Sequence, residues 1–211
     1  MKTKLLTILA IGMIAMTSCS KYPPSSGRLT EDLAVYTKYD VTANFSDYKT
    51  FKVVPYVSYI NGKDSTTLTD ANAMALLNEV SKNMVSRGYT AVTGATKADL
   101  GLNVTAIKNT TTTVYSPGWY WGYPGYYPPS WWGYPGYGYG YPYYPTYISS
   151  YSTGTVLIDL VDLKKPVGNT VMVRWNAYIR GLLTGSHSQA DVLKCVDQAF
   201  IQTPALVTTQ K

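Results

Sequence analysis

A charge-free aromatic segment in the second half of the chain limits the possible folds more than any other feature. No Asp, Glu, Lys, Arg or His occurs between Lys108 and Asp159, and residues 117–145 consist of Gly, Pro, Tyr, Trp and a single Ser. Of those 29 residues, 14 are Gly or Pro and 14 are Tyr or Trp. Pro lacks a backbone donor and Gly raises the entropic cost of order, which argues against a helix or an ordinary strand. The sequence therefore predicts a long low-complexity loop, residues 109–153, inserted into a folded frame.

The aromatic rings of this insert are too many for the core of the frame to hold. Without the insert the frame has about 120 residues, and each large aromatic side chain removes about 150–250 Å² from water when it is buried. We therefore expect most of the rings to lie outside the core and to form a contact surface. Its predicted members are Trp119, Tyr120, Trp121, Tyr123, Tyr126, Trp131, Trp132, Tyr134 and Tyr137.

A surface of Tyr and Trp side chains restricts the kinds of partner. These side chains are amphipathic, stack on flat apolar faces and favour the membrane–water interface. The surface therefore suits a glycan, peptidoglycan, the membrane surface or another envelope protein. Nucleic acid is not expected, because base stacking is combined with Arg or Lys and the insert has neither. A mobile loop without a specific ligand is the alternative, and the sequence leaves it open.

The first residues have the organisation of a bacterial lipoprotein signal. Lys2 and Lys4 precede an apolar run, residues 5–15, that is shorter than the about 20 residues of a membrane-spanning helix. The motif MTSC, which ends at Cys19, then resembles a lipobox. We expect residues 1–18 to be a signal peptide and Cys19 to be lipidated, which anchors the protein to a membrane. Ordinary secretory cleavage, with Cys19 as a free thiol, is the alternative.

The residues after Cys19 indicate a tether and a destination. Ser20 is not acidic, which by resemblance to enterobacterial sorting favours the outer membrane of the bacterial cell envelope, on either face. Residues 19–35 are typical of a lipidated N-terminus and a flexible tether. Removal of the signal lowers the net charge from +6 to +4 because it takes away Lys2 and Lys4. This weak positive balance is not the electrostatic footprint of a nucleic-acid-binding protein.

Hydrophobic periodicity in the rest of the chain predicts five strands and two helices. The predicted strands are residues 36–41, 48–55, 98–107, 154–163 and 171–183, and the predicted helices are residues 69–87 and 188–200. The N-caps are expected at Thr69 and at Ser188, where Asp191 completes a capping box. Residues 63–68, after the Asn61-Gly62 turn, are expected to form a loop.

The order of these elements predicts an α+β fold. We expect a single antiparallel sheet of about five strands with two helices packed on one face, together with the long Tyr/Gly/Pro/Trp-rich loop. In the last strand the side chains from Val171 to Ile179 alternate, and the odd-numbered set is expected to face the helices. The domain is expected to span residues 36–204, followed by a C-terminal tail, residues 205–211.

Several short motifs, in their order along the chain, resemble a family of bacterial envelope lipoproteins catalogued as domain of unknown function 4136. The motifs are Asp40 followed by FSDYKTF at residues 45–51, RGY at 87–89, ADL at 98–100, GTVLIDLVD at 154–162, and Trp175 with Gly181. Asn44 stands where the family often has Asp. The resemblance implies a lipid-anchored envelope protein and carries over no catalytic residue.

Candidate catalytic groups are scattered rather than clustered. His187 is the only histidine and lies in a polar loop, and Cys195 lies on the apolar side of the second helix. Asp159 and Asp162 lie three apart on a strand and therefore point to opposite faces, so they cannot act as a carboxylate pair. We accordingly predict no enzyme, no metal and no cofactor, and a structural or adhesive envelope protein instead.

Two alternatives come from other functional classes. One is a small-ligand-binding or hydrolytic envelope domain with a pocket under the aromatic loop. The other is an assembly component that meets a partner through Arg174 and Arg180 on the more polar face of the sheet, although a solvated face explains these residues as well.

Overall fold

Nine strands and two helices are formed by the residues that the computed structural model describes, namely 33–109, 118–142, 154–183 and 187–208. The chain divides into two units, Met1–Asp32 and Leu33–Lys211, and the described residues all lie in the second unit. The predicted signal peptide, Cys19 and the predicted tether up to residue 32 therefore lie outside the described residues, and so does the side chain of Trp119.

The elements follow one another in the order strand, strand, hairpin, helix, strand, strand, insert with one short strand, strand, strand, helix. The strands are β1 Ala34–Tyr39, β2 Thr50–Val53, β3 Val57–Asn61, β4 Asp64–Leu68, β5 Thr90–Ala91, β6 Leu100–Asn109, β7 Gly138–Gly140, β8 Thr155–Asp162 and β9 Thr170–Arg180. The helices are α1 Ala71–Ser86 and α2 Gln189–Ile201, and the insert contains 3₁₀ turns at Trp119–Gly122 and Pro129–Trp132.

The nine strands form a mixed sheet, so the prediction of a single antiparallel sheet of about five strands is wrong. The main path is β1-β9-β8-β6-β2-β5, while β3 pairs with β4 and β6, and β7 pairs with β9. β2 and β3 run parallel to β6, and β7 runs parallel to β9. β2 and β3 run parallel to β6 because α1 lies between them in the chain, and a helical crossover returns the chain so that the strands run in the same direction.

The segment after the Asn61-Gly62 turn is a strand, although we expected a loop. Asn61 pairs with Asp64 across the turn, and Gly62 takes the left-handed backbone conformation with φ 69°. Threonines in β4 are β-branched, which suits an extended backbone, and this polar strand pairs only with β3 among the described strands. Polar side chains are common on edge strands, where they discourage further pairing, and for that reason the segment resembles a loop in sequence.

Both helices pack against one hydrophobic core on the first face of the sheet. The core contains Leu77 and Val80 of α1, Val196 and Phe200 of α2, and alternate residues of the central strands such as Ile158. The predicted capping box at the start of α2 is confirmed. The N-cap of α1 is Asp70 rather than Thr69, and its side chain accepts hydrogen bonds from the Asn72 and Ala73 backbone.

A β-bulge changes which side chains of β9 face the helices. Leu160 pairs with Trp175 but Val161 pairs with Val173, so Arg174 is the extra residue in β9. Trp175 therefore belongs to the helix-side core, as do Ala177 and Ile179, whereas Val171 and Val173 belong to an apolar cluster on the second face. The prediction that all the odd-numbered side chains of this strand face the helices is wrong because a bulge reverses the alternation.

The aromatic insert covers the second face of the sheet. Odd-numbered side chains of β6 and β8 point away from the helices and form two apolar clusters with rings of the insert. Examples are Ile107 and Leu157, which pack with Tyr120 and Tyr126. The sheet consequently lies between a helical layer and an aromatic layer, and the expectation that the rings lie outside the core is wrong for the rings that fill this second interface.

At Gly101 in β6, the insert lies too close to the sheet backbone to leave room for a side chain. A Cβ atom at this position would lie 2.9 Å from Cζ2 of Trp132 and 2.9 Å from a methyl group of Val161. We predict that Gly101→Ala lowers the free energy of unfolding by about 1–3 kcal/mol, because it overpacks this interface. Urea unfolding followed by tryptophan fluorescence measures the effect.

The matched control is Gly138→Ala in strand β7, where a Cβ atom would meet nothing within 4 Å. This variant should keep wild-type stability within about 0.5 kcal/mol. Equal destabilisation by the two substitutions would contradict the packing of Trp132 on Gly101.

Candidate functional site

A buried carboxylate on the second sheet face fastens the insert to the frame. Asp159 of β8 is fully buried, and its oxygens accept hydrogen bonds from the Tyr120 hydroxyl at 2.9 and 3.1 Å and from the Tyr126 hydroxyl at 2.9 Å. The Tyr141 hydroxyl donates at 3.2 Å, and the amide of Asn176 on β9 donates from the side. Three hydroxyls of the insert therefore converge on one carboxylate of the sheet.

Further hydrogen bonds surround this carboxylate and extend its network across the sheet. The Asn103 amide of β6 donates to the Tyr126 hydroxyl at 3.1 Å and to the Tyr139 hydroxyl at 3.4 Å. The Tyr120 and Tyr141 hydroxyls lie 2.8 Å apart. These hydrogen bonds join four tyrosines of the insert to β6 and β8 and hold the insert on the sheet. Among the described residues, the buried Oδ1 atom of Asn103 has no hydrogen-bond partner.

Burial dominates the electrostatics of the Asp159 site. Desolvation raises the pKa of Asp159 above its ordinary value of 3.8, and the hydrogen bonds from Asn176, Tyr126 and Tyr120 oppose this rise. Desolvation also raises the pKa of Tyr126 well above its ordinary value, with the neighbouring carboxylate acting in the same direction. Tyr126 is therefore a hydroxyl donor at neutral pH, and its hydrogen bond to Asp159 helps to hold the insert on the sheet.

The prediction that Asp159 and Asp162 point to opposite faces is confirmed. Asp162 lies on the helix side, where Tyr48 donates to it at 2.8 Å and Arg174 donates at 3.0 Å. Arg174 also donates to Asp40 at 2.6 Å, and its side chain is only 14% exposed. Arg174 is thus held within the molecule, so the two interpretations that placed it on a solvated or partner-binding face are wrong.

The nine predicted contact residues have different positions in the structure. Tyr120 is 0% exposed and Tyr126 is 4% exposed, so the prediction is wrong for these two, because the second sheet face accommodates their rings. The partly exposed members are Trp121, Tyr123, Trp132, Tyr134 and Tyr137, and Trp131 is 58% exposed.

A groove opens where the second 3₁₀ turn of the insert meets the frame. The insert contributes Trp131, Trp132 and Tyr134 to its lining, and the frame contributes Lys52 of β2 and residues 94–98. The volume of this groove is about 350 Å³, near the lower end of the range of about 300–1,000 Å³ for small-ligand sites. We call these residues the rim groove.

The most exposed ring of the rim groove is braced by other rings. Trp131 meets Tyr127 edge-on at a centroid distance of 5.0 Å and Tyr56 edge-on at 6.4 Å. Trp132 lies 4.6 Å from Tyr127, and its ring packs on Gly101. Edge-to-face contacts at these distances stabilise aromatic pairs by about 0.5–1.5 kcal/mol. The exposed face of Trp131 is therefore held in place rather than left to move freely.

Sequence reasoning missed the lysines of the rim groove. Lys52 lies on a strand whose Phe51 and Val53 pack on the helix side, so period-two alternation could have placed it on the side of the insert. Lys97 lies in the loop before β6 and had no signal of this kind. Neither lysine lies in the insert, and the pairing of frame and insert brings them beside the tryptophans.

The space over Asp159, where a pocket under the loop was the alternative hypothesis, is filled by Tyr120 and Tyr126. His187 lines a separate cavity of about 350 Å³ on the helix side, together with apolar residues such as Leu76. Cys195 is half-buried, and burial raises the pKa of its thiol. Within the described ranges, no three His, Cys, Asp or Glu side chains converge to hold a metal ion, and no helix there is long and apolar enough to span a membrane.

Comparison with known proteins shows what the chain is related to. The family described as Domain of unknown function (DUF4136) matches residues 35–205. The chain belongs to the DUF4136 family. A crystal structure of a DUF4136 family protein from Bacteroides thetaiotaomicron is 35% identical, with a TM-score of 0.72, and the match covers 84% of this chain and 98% of that one. Among curated proteins, none matches the chain significantly.

Two more distant solved structures share less with this DUF4136 protein. The PelC dodecamer from Paraburkholderia phytofirmans is 12% identical with a TM-score of 0.42, over 84% of this chain and 99% of that one. A PDZ domain protein from Parabacteroides distasonis is 17% identical with a TM-score of 0.43, over 85% of this chain and 36% of that one. These similarities are too weak to bear on function.

The raised pKa of Asp159 leads to a prediction about how the stability of the protein depends on pH. Because its pKa is raised in the folded protein, the folded state holds this proton to a higher pH than the unfolded state does. The stability contributed by Asp159 should therefore fall as the pH rises from about 3.8 through the raised pKa. We predict that the stability of the wild type, relative to Asp159→Asn, decreases over this window in urea unfolding measured at a series of pH values.

The control is Asp191→Asn, because a hydrogen bond from Ser188 lowers the pKa of Asp191. The stability of the wild type relative to this variant should increase with pH, up to the ordinary pKa of 3.8. The same direction of change for both pairs would contradict the assignment of Asp159 as a desolvated acid.

Proposed function

We propose that this DUF4136 protein is a non-enzymatic, lipid-anchored protein of the bacterial cell envelope that binds carbohydrate through its rim groove. The observation that supports this proposal is the groove itself: a tryptophan that is 58% exposed but braced on two sides, beside a second tryptophan and a tyrosine. The lipid anchor places this surface in the envelope, where glycans are abundant.

A glycan suits the rim groove better than a membrane surface does. Aromatic rings offer flat apolar faces on which the C–H face of a sugar ring stacks, while hydroxyl and ammonium groups nearby can bond to its oxygens. Membrane docking by aromatic side chains requires rings that project together from the surface. Here Trp132 and Tyr134 are only partly exposed, and the Tyr134 hydroxyl donates to the Leu163 carbonyl.

The absence of enzyme activity is part of the proposal, and it is supported by the burial and the hydrogen-bond partners of the candidate catalytic side chains. Asp159 is enclosed by the hydroxyls that it binds, and Asp162 is held by Arg174 and Tyr48. Burial raises the pKa of the Cys195 thiol, which disfavours the nucleophilic thiolate. None of these groups lines the rim groove.

The lipid anchor makes a prediction about Cys19. In bacteria that express the full chain and are labelled with radioactive palmitate, the wild-type protein should carry label and sediment with membranes, because two or three acyl chains give lasting attachment. Cys19→Ser should lose both properties, whereas Cys195→Ser should keep both. Labelled Cys19→Ser protein in the membrane fraction would contradict the proposed anchor.

The rim groove makes a prediction about Trp131. Removal of its ring takes away the exposed stacking face, so Trp131→Ala should weaken binding of cell-envelope polysaccharide fragments by at least about tenfold, or about 1.4 kcal/mol. Isothermal titration calorimetry on the purified full chain measures the change. Ile201→Ala is the control, because Ile201 is 65% exposed but lies on α2. Unchanged affinity in Trp131→Ala would remove the rim groove from the proposed function.

A further inference from the structure

The charges around the rim groove indicate which class of carbohydrate it binds. The described residues that line it include two cationic side chains, Lys52 and Lys97, and no Asp or Glu. The other lining residues are aromatic (Trp131, Trp132 and Tyr134), aliphatic (Leu163), or Gly, Ala and Thr. The groove therefore combines a stacking face with positive charge.

The two lysines keep donors for a ligand. The Lys52 ammonium donates to the carbonyl oxygen of Gly94 at 2.7 Å, which engages one of its three N–H groups and leaves two. Lys97 is exposed, and it lies on the loop, residues 94–98, that lines the groove together with the tryptophans. Both ammonium groups can thus bond to a ligand without breaking a contact that holds the fold together.

Nearby carboxylates do not neutralise the groove, because other partners engage them. Oδ2 of Asp99 accepts hydrogen bonds from the backbone N–H groups of Lys49 and Thr50, and its Oδ1 lies 3.6 Å from Nζ of Lys164. Asp162 is buried on the helix side with Arg174. The positive charge of the groove is therefore available to an anionic ligand.

We propose that the rim groove binds acidic sugars, with a sugar ring stacked on Trp131 and its carboxylate facing Lys52 and Lys97. This inference rests on the proposed carbohydrate-binding function and narrows its ligand to glycans that contain uronic acid or a similar anionic unit. Two lysines can neutralise few charges, and the volume of about 350 Å³ suits a short segment of chain rather than a nucleic acid, which requires a longer basic track.

The test compares a short oligogalacturonide with its fully methyl-esterified form, which has the same rings and no charge. With the purified full chain in detergent, calorimetry at low salt should show at least about tenfold tighter binding of the acidic form. The difference should shrink as salt is added, because exposed charges are screened over about 10 Å at 0.1 M ionic strength. Tryptophan fluorescence should report the same order of affinities.

Substitutions then assign this preference to the lysines. Lys52→Gln and Lys97→Gln should each weaken binding of the acidic form more than binding of the neutral form, and so reduce the preference for the acidic form. Lys194→Gln is the matched control, because Lys194 is a cation on α2 whose side chain is 77% exposed. Circular dichroism and urea unfolding of each variant show whether the fold is retained.

The outcomes separate this inference from the function on which it rests. Equal affinities for the acidic and the neutral form would overturn the preference for acidic sugars and leave carbohydrate binding in place. Binding of neither form, by a folded protein, would overturn both. Tighter binding of a single-stranded oligonucleotide than of the oligogalacturonide would overturn the choice of an acidic glycan as the ligand.

Discussion

The bonds between the Asp159 carboxylate and the tyrosine hydroxyls of the insert are the interaction on which the aromatic layer depends. Fourteen of the residues from 117 to 145 are Gly or Pro, so this segment cannot be held by a regular backbone ladder alone. Side chains replace that ladder, and the carboxylate accepts from Tyr120, Tyr126 and Tyr141 at one point. A buried carboxylate is costly unless donors surround it, and buried hydroxyls are costly without an acceptor, so each group requires the other.

The need for such a layer follows from the sheet. β8 is buried along its whole length, and its two sets of alternating side chains are apolar apart from Thr155 and the two aspartates. The bulge at Arg174 turns Val171 and Val173 toward the second face and enlarges its apolar area. Two helices can cover one face of this sheet, and without the insert the other would expose a large apolar surface to water.

The parts of the fold that depend on local pattern were predictable from the sequence. Both helices, the capping box at Ser188 and the opposite directions of Asp159 and Asp162 follow from periodicity and spacing. Strand direction was not predictable in this way, because it depends on the crossover through α1. The burial of Tyr120 and Tyr126 was missed for a related reason. The available apolar surface was judged from the size of the frame alone, and the bulge that adds apolar side chains to the second face has no signal in the local sequence. The lysines of the rim groove come from β2 and the loop before β6, and only the folded chain brings them to the insert.

The same hydrogen bonds and ring contacts that bury one part of the insert also hold another part, the exposed ring of Trp131, in a fixed position. Tyr127 packs against both Trp131 and Trp132, and its carbonyl oxygen accepts a hydrogen bond from the Tyr139 hydroxyl at 2.6 Å. Tyr139 in turn accepts from Asn103, which also contacts Tyr126 of the Asp159 network. The exposed tryptophan is therefore connected to the buried carboxylate through a short series of direct contacts. A ring held in this way loses little conformational freedom when a ligand stacks on it, and that lost freedom is one of the main costs of association. An aromatic low-complexity sequence can thus hold an exposed ring in a defined position, provided that part of the sequence is bound to the folded frame of the same protein.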